Sequence, residues 1–407
     1  MKQKLILIGS GMVGARFIER LLVEAPSQYD IRVFNKEPAG GYNRIMLSPV
    51  LAGEKPLPDI MTHDEAWFEA RSVHLHTSSE IVAVDQEAKT VTTRQGEQYP
   101  YDKLIIATGS SPFIIPVPGH DLPGVVAFRD IRDVNLMIDA TQKKQKAVVI
   151  GGGLLGLEAA NGLIKRGMDV TVVHLGDVLM EMQMDAVSGK LLQQSLEEGG
   201  MKFVMQGQTA EILGDTHVTG VKMADGRVVD TDLVVMAVGI RPNVGVGKKM
   251  GLEVNRGIVV NDQLQTSAPN IYALGECVEH RGLLYGLVAP LYEQAQVLAE
   301  TLGSSPTGKE AAYQGSFVST KLKVTGISLF SAGDFSDSEE TDSLVYKDLT
   351  QNIYRKVVLK ENKIQGAVLF GDVTGSNWIF ENLVSQEDVS AYRDTLVFGD
   401  GFQPSQT

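Results

Sequence analysis

Two glycine runs carry the most legible chemistry in this 407-residue sequence: Gly9-Ser10-Gly11-Met12-Val13-Gly14 and Gly151-Gly152-Gly153-Leu154-Leu155-Gly156. In each, the first glycine permits a tight turn, the second lets backbone approach a pyrophosphate, and the third lets a helix pack closely on a strand. A helix beginning there aims unpaired N–H groups at phosphate oxygens. An acid ending the next strand would accept from a ribose hydroxyl, and Glu37 stands at that place in the first unit, the interval lengthened by Pro26-Ser27-Gln28-Tyr29. In the second unit Glu158 lies on the helix, and the strand Thr171-Val172-Val173 ends in His174. NADH usually meets an acid there and NADPH a cation for its 2′-phosphate. His174 is neither, and no Arg or Lys adjoins it, so the preference stays open with a lean to NADH.

Both runs demand the same supporting elements. Lys4–Ile8 reads as a buried strand, a helical spacing follows through Phe17, Leu21 and Leu22, and Ile31–Phe34 reads as a second strand. The pattern recurs with a strand at Lys146–Ile150, a helix to about Arg166 and a strand at Asp169–His174. This duplicated βαβ unit predicts two dinucleotide cradles, economically one for a flavin and one for a nicotinamide coenzyme. Between them, Glu80–Asp85 and Thr90–Arg94 alternate as antiparallel hairpin strands. Three apolar runs end abruptly in glycine: Leu104–Ala107 before Thr108-Gly109, Leu233–Val238 before Gly239, and Asn270–Leu274 before Gly275. From about Ala311 the pattern is alternating strands, with Asp337–Asp342 expected as a solvated acidic turn and Gln403–Thr407 as a frayed tail.

Composition narrows the class. The chain carries 37 basic and 50 acidic residues, a formal charge of −13, which argues against nucleic acid or anionic membrane as a partner. A single cysteine, Cys277, excludes an internal disulfide, a cysteine-held iron–sulfur cluster and a four-cysteine zinc site. His74 and His76 share one strand face but lack a third ligand, so no metal site is expected. No apolar run reaches the ~20 residues of a membrane span, and Arg16, Glu19 and Arg20 interrupt the N-terminal apolar segment too early for a signal peptide. The expected location is the cytoplasm.

With both cradles and the three strand–glycine exits in order, the chain resembles the FAD/NAD(P)-binding pyridine nucleotide reductases along essentially its full length. The resemblance implies that Ala107-Thr108-Gly109 closes the flavin domain. It also implies that Thr266–Glu276 brings Gly275 and Glu276 to the flavin's ribityl chain, and that Val238–Asn243 is the exit from the nicotinamide domain. Within that family, Tyr42–Ser48, His174–Asp185, Gly275-Glu276-Cys277 and Tyr285–Pro290 are similar to the N-terminal flavin half of assimilatory NAD(P)H nitrite reductase large subunits and to nitrate reductase electron-transfer subunits. Rubredoxin and ferredoxin reductases are the next relatives. They often place Lys where Pro49 stands here, and most carry Asp where this chain has Glu276. By the same resemblance Arg44, Val82, Arg129 and Lys321 join the FAD site, with Glu158 and Lys321 as the catalytic candidates.

The implied architecture is α/β: a discontinuous FAD domain over 1–117 and 245–310, an NAD(P) domain over 118–244, and a C-terminal α+β domain over 311–407. The implied activity is hydride transfer from NAD(P)H to FAD and electron delivery to a separate redox protein in nitrate or nitrite assimilation. Without cysteine pairs or an iron–sulfur region, this chain is not expected to reduce nitrite itself. The alternatives are a rubredoxin- or ferredoxin-type reductase, an NADH oxidase, and a non-enzymatic flavoprotein redox sensor. A homodimer stays open. Trp378 and Phe380 either shield the flavin or fill the last domain's core, and the core is favoured.

Overall fold

The computed structural model describes residues 2–303, 311–324 and 326–399, and divides into two compact units. The first comprises Met1–Leu47, Lys55–Ser111 and Ile240–Ser316; the second comprises Ser48–Glu54, Pro112–Gly239 and Phe317–Thr407. The tail Gln403–Thr407 and the junction at 310 lie outside the described residues.

The first unit is built on a five-stranded sheet in the order Ile271–Ala273, Lys103–Ile106, Gln3–Ile8, Tyr29–Phe34, His74–His76, with every pairing parallel. Leu5, Ile6 and Leu7 are wholly buried, as a central strand covered on both faces requires. The helix Met12–Glu24 buries Val13, Phe17 and Leu21 at four-residue spacing and packs beside Val288–Leu302. Each such large side chain contributes about 1.5–3 kcal/mol of burial. The expected hairpin becomes a three-stranded meander, Ile81–Asp85, Thr90–Thr93 and Gln98–Pro100.

The second unit repeats the plan. Its parallel sheet runs Val125–Ala127, Leu233–Met236, Lys146–Ile150, Asp169–Val173, Lys202–Val204, and a meander of Thr209–Leu213, Gly220–Met223 and Val228–Asp230 accompanies it. The C-terminal segment adds a five-stranded antiparallel sheet, Ser319–Val324, Ile327–Gly333, Lys363–Phe370, Ile353–Lys360 and Asp342–Asp348 in spatial order, with the helix Ser376–Ser385 packed on it. Trp378 and Phe380 pack against its core, as favoured from the sequence. The acidic turn is more engaged than its composition suggests. Asp337 pairs with Lys356 at 2.9 Å and Asp342 with Arg393 at 2.9 Å, so the turn also anchors its own sheet.

Polar cross-ties close the first unit where the sheet hands over to the long insertion. Asn243 donates to the Thr108 carbonyl at 2.8 Å and accepts from the Ser111 hydroxyl at 2.7 Å, while its backbone N–H reaches the Gly109 carbonyl. Removing one partner of such part-buried bonds strands the other. Asn243→Ala is expected to lower unfolding free energy by about 1–3 kcal/mol with an unchanged denaturant slope. Equilibrium urea unfolding checks this, and an unshifted midpoint would show that the ties carry no stability.

Candidate functional site: two dinucleotide cradles

The two glycine turns share one geometry. A Cβ built on Gly9 would lie 2.3 Å from the Ala107 carbonyl oxygen, and one on Gly151 would lie 2.3 Å from that of Ala237. Both residues hold positive φ, 108° and 118°, which a side chain would oppose. Gly14 and Gly156 press on the carbonyls of Gly9 and Gly151 respectively, leaving no room for any side chain. The middle glycines differ: Gly11 and Gly153 face open space, with nothing within 4 Å of a built Cβ. The outer glycines therefore answer to the fold, while the middle ones leave space for a ligand.

The helices that start on these turns lack the caps used elsewhere in the chain. Met12–Glu24 begins on Gly11 and Leu154–Lys165 on Gly153, neither with a side-chain cap. By contrast, Ile131–Thr141 and Ala186–Glu198 carry full capping boxes from Asp130 and Asp185. Two uncapped N-termini, each behind an open glycine, leave N–H donors for phosphate. In the first cradle the buried Ser10 hydroxyl also has no protein partner. These features fit a dinucleotide pyrophosphate in each cradle.

In the first unit Glu37 accepts from the Tyr42 hydroxyl at 2.8 Å and pairs with Arg44, whose guanidinium lies over the Tyr42 ring. A carboxylate has about four acceptor positions, so Glu37 keeps capacity for a ribose diol. Val82 sits at a bulge in the meander, where the register shifts between Ile81 and Ala83. The Thr108 hydroxyl donates to the Asn243 carbonyl. Gly275 N–H donates to Gln294 at 2.9 Å, and the Ser110 hydroxyl donates to Glu276 at 2.7 Å. Met12, Val13, Ala107 and Gly109 lie along the same turn and strand exits. Cys277 is wholly buried against the carbonyls of Leu274 and Ile106, and burial pushes its thiol up, away from the reactive thiolate.

Two residues expected at the FAD belong to the second unit. Arg129, half-buried, precedes the helix Ile131–Thr141, with its backbone N–H bonded to Asp133. Lys321 is exposed on the C-terminal sheet and reaches Asn377 at 3.4 Å. Around the second cradle, Leu154 and Leu155 open the helix, Leu155 exposed, and Gly239 holds a φ of 108° at the strand exit. Glu158 accepts from the Ser48 hydroxyl, in the short helix that also contains Pro49. Burial raises its carboxyl above the ordinary value and the Ser48 bond only partly offsets this. His174 is buried, with both ring nitrogens bonded inside the protein. The sequence could not show that enclosure, because it depends on a loop folding back over the strand end. Among the described residues no helix is long and apolar enough to cross a membrane, and no group of three or more metal-ligating side chains occurs.

Two parallel sheets, each with an open middle glycine at its turn, define the class as a protein with two dinucleotide-type cradles. The model of the pyridine nucleotide-disulphide oxidoreductases matches residues 3–300, and that of the rubredoxin NAD+ reductase C-terminal domain matches 319–387. The chain belongs to the pyridine nucleotide-disulphide oxidoreductase family. It is 51% identical over 389 residues to a nitrite reductase [NAD(P)H] of Bacillus subtilis, covering 96% of this chain and 48% of that protein. It is 42% identical over 396 residues to the assimilatory nitrate reductase electron transfer subunit of the same organism, covering 97% and 51%. It thus spans about half the length of these relatives. Among solved structures, NADH:rubredoxin oxidoreductase from Clostridium acetobutylicum superposes with a TM-score of 0.80 at 28% identity, covering 96% of this chain and 97% of that one.

Because the Glu158 carboxyl titrates above its ordinary value, it favours the fold most below the unfolded-state value of about 4.3 and loses that contribution as pH rises through the raised native one. Glu158→Gln has no such dependence. Wild-type stability is expected to fall relative to E158Q as pH climbs from about 4 toward 8. Denaturant midpoints across that range check it, and parallel curves would contradict the raised titration.

Proposed function

We propose that this chain takes electrons from NAD(P)H through FAD and delivers them to a separate redox protein serving nitrate or nitrite assimilation. FAD, when bound, supplies the step from a two-electron hydride donor to one-electron acceptors. The protein's own part is recognition: Gly11 and Gly153 leave backbone open to two pyrophosphates, Glu37 offers a carboxylate to a ribose, and the uncapped helices offer N–H donors. The observation that carries the reading is the matched pair of open middle glycines above crowded outer ones.

The three-domain division, with FAD held by 1–117 and 245–310 and NAD(P) by 118–244, belongs to this proposal, as do Arg129 and Lys321 near the flavin and a cytoplasmic location. Likeness to a nitrite reductase and to an electron transfer subunit supports the acceptor class. A rubredoxin-like acceptor is the second reading, favoured by the C-terminal domain match.

Paired substitutions separate the two cradles. A Cβ at Gly11 has no protein atom within 4 Å, so Gly11→Val is expected to keep the fold yet lose bound FAD. Gly153→Val is expected to stay yellow while its flavin is no longer bleached by NADH. Absorbance at the flavin band with and without NADH reads both, and a fully loaded G11V or a normally bleached G153V would refute that cradle's assignment. The native protein is expected to turn over NADH rapidly with ferricyanide. Slow bleaching with a lasting charge-transfer band would favour the sensor alternative.

A further inference from the structure

The second glycine turn is backed by a loop, and the loop in turn by a helix. A Cβ built on Gly152 would lie 2.6 Å from the Leu179 side chain, and the Met180 N–H donates to the Gly152 carbonyl at 3.1 Å. The His174 ring ties the start of the loop to the same turn, accepting the Gly152 N–H at Nδ1 and donating from Nε2 to the Val178 carbonyl. Behind the loop stands the helix Ala186–Glu198. A Cβ on its Gly189 would lie 2.4 Å from the Val178 side chain and 3.1 Å from the Leu179 carbonyl oxygen, so the helix presses directly on the loop. Turn, loop and helix touch in series. Met180 holds a φ of 54°, a left-handed conformation that a side chain disfavours and that the surrounding contacts must maintain.

The C-terminal sheet fixes the helix. Asp185, the N-cap, accepts the Ser188 N–H at 2.9 Å through Oδ1, and the Ser188 hydroxyl accepts the Asp185 N–H at 3.1 Å. The other carboxylate oxygen, Oδ2, accepts the Tyr354 hydroxyl at 2.5 Å. Tyr354 is buried on the strand Ile353–Lys360. Burial first, and then the Asp185 carboxylate beside it, push its phenol above the ordinary value, so it remains a donor. A hydrogen bond to a charged acceptor is of the stronger kind. A second tie reaches the same helix nearer its other end, where Asn352 donates to the Ser195 hydroxyl at 2.8 Å.

We propose that Tyr354 is a positioning residue for coenzyme binding: its bond to Asp185 holds the helix, and through it the 174–185 loop, in the shape that completes the second cradle. The C-terminal sheet thereby contributes to that cradle through a residue remote from the glycine turn. The inference rests on the reading of the second cradle as the nicotinamide coenzyme site.

Calorimetry with ADP-ribose on the FAD-loaded protein tests it, together with KM and kcat for NADH with ferricyanide. Tyr354→Phe removes one hydroxyl and leaves the ring to pack. It is expected to weaken ADP-ribose about fivefold or more and to raise KM for NADH with kcat held, while bound FAD stays at the native level. Asp185→Ser keeps a capping hydroxyl but loses the carboxylate that meets Tyr354, and it should reproduce the same loss. Because both variants break one bond, the double variant should bind no more weakly than either single one. Ser195→Ala cuts the other tie to the same helix and should leave ADP-ribose affinity unchanged. Native affinity in Y354F, additive losses in the double variant, or an equal loss in S195A would each overturn the assignment. Failure of the native protein to bind ADP-ribose would instead remove the reading of the cradle itself.

Discussion

The structure depends on one steric constraint, met twice. A strand's first exit residue must pass so close to the carbonyl ending a neighbouring strand that no Cβ fits between them. Gly9 meets Ala107 in this way and Gly151 meets Ala237, at the same 2.3 Å. Parallel strands place these exits side by side at one sheet edge, and the glycine lets the following helix begin there without a gap. Gly14 and Gly156 then seat each helix on its own turn. Everything that makes the cradles receptive follows from that seating.

Capping differs along the chain. In the second unit, Ile131–Thr141 and Ala186–Glu198 satisfy their N-termini through Asp130 and Asp185, whereas Ser376–Ser385, like Val288–Leu302 in the first unit, has no side-chain cap. The two cradle helices forgo such caps, whose loss typically costs about 1 kcal/mol each, and start on bare glycine. Burial along the same helices, at Phe17 and Leu21 in one and Leu157 and Leu163 in the other, offsets that deficit. Donors left open by the fold are the proposed phosphate sites.

Legibility in the sequence was uneven for physical reasons. Both βαβ units were readable because steric rules act on residues a few positions apart. The meander was partly readable: Glu80–Asp85 and Thr90–Arg94 alternate, whereas Gln98–Pro100 is too short to show a period. The acidic run Asp337–Asp342 reads as a solvated turn until the neighbouring strand brings Lys356 under Asp337. Glu158 could be picked out as a helix residue, but its Ser48 partner lies more than a hundred positions away and depends on tertiary packing.

The sequence alone determined that there are two glycine turns, that each opens a helix, and that one cysteine cannot support dithiol chemistry. Those conclusions rest on local sterics and on counting, which need no coordinates. Tertiary structure decided what surrounds each turn: that Glu37 shares its charge with Tyr42 and Arg44, that Cys277 is sealed, and that His174 turns inward while Glu181 stays at the surface. Such outcomes depend on where a loop returns, and a loop's return is set by burial and hydrogen bonds between distant residues.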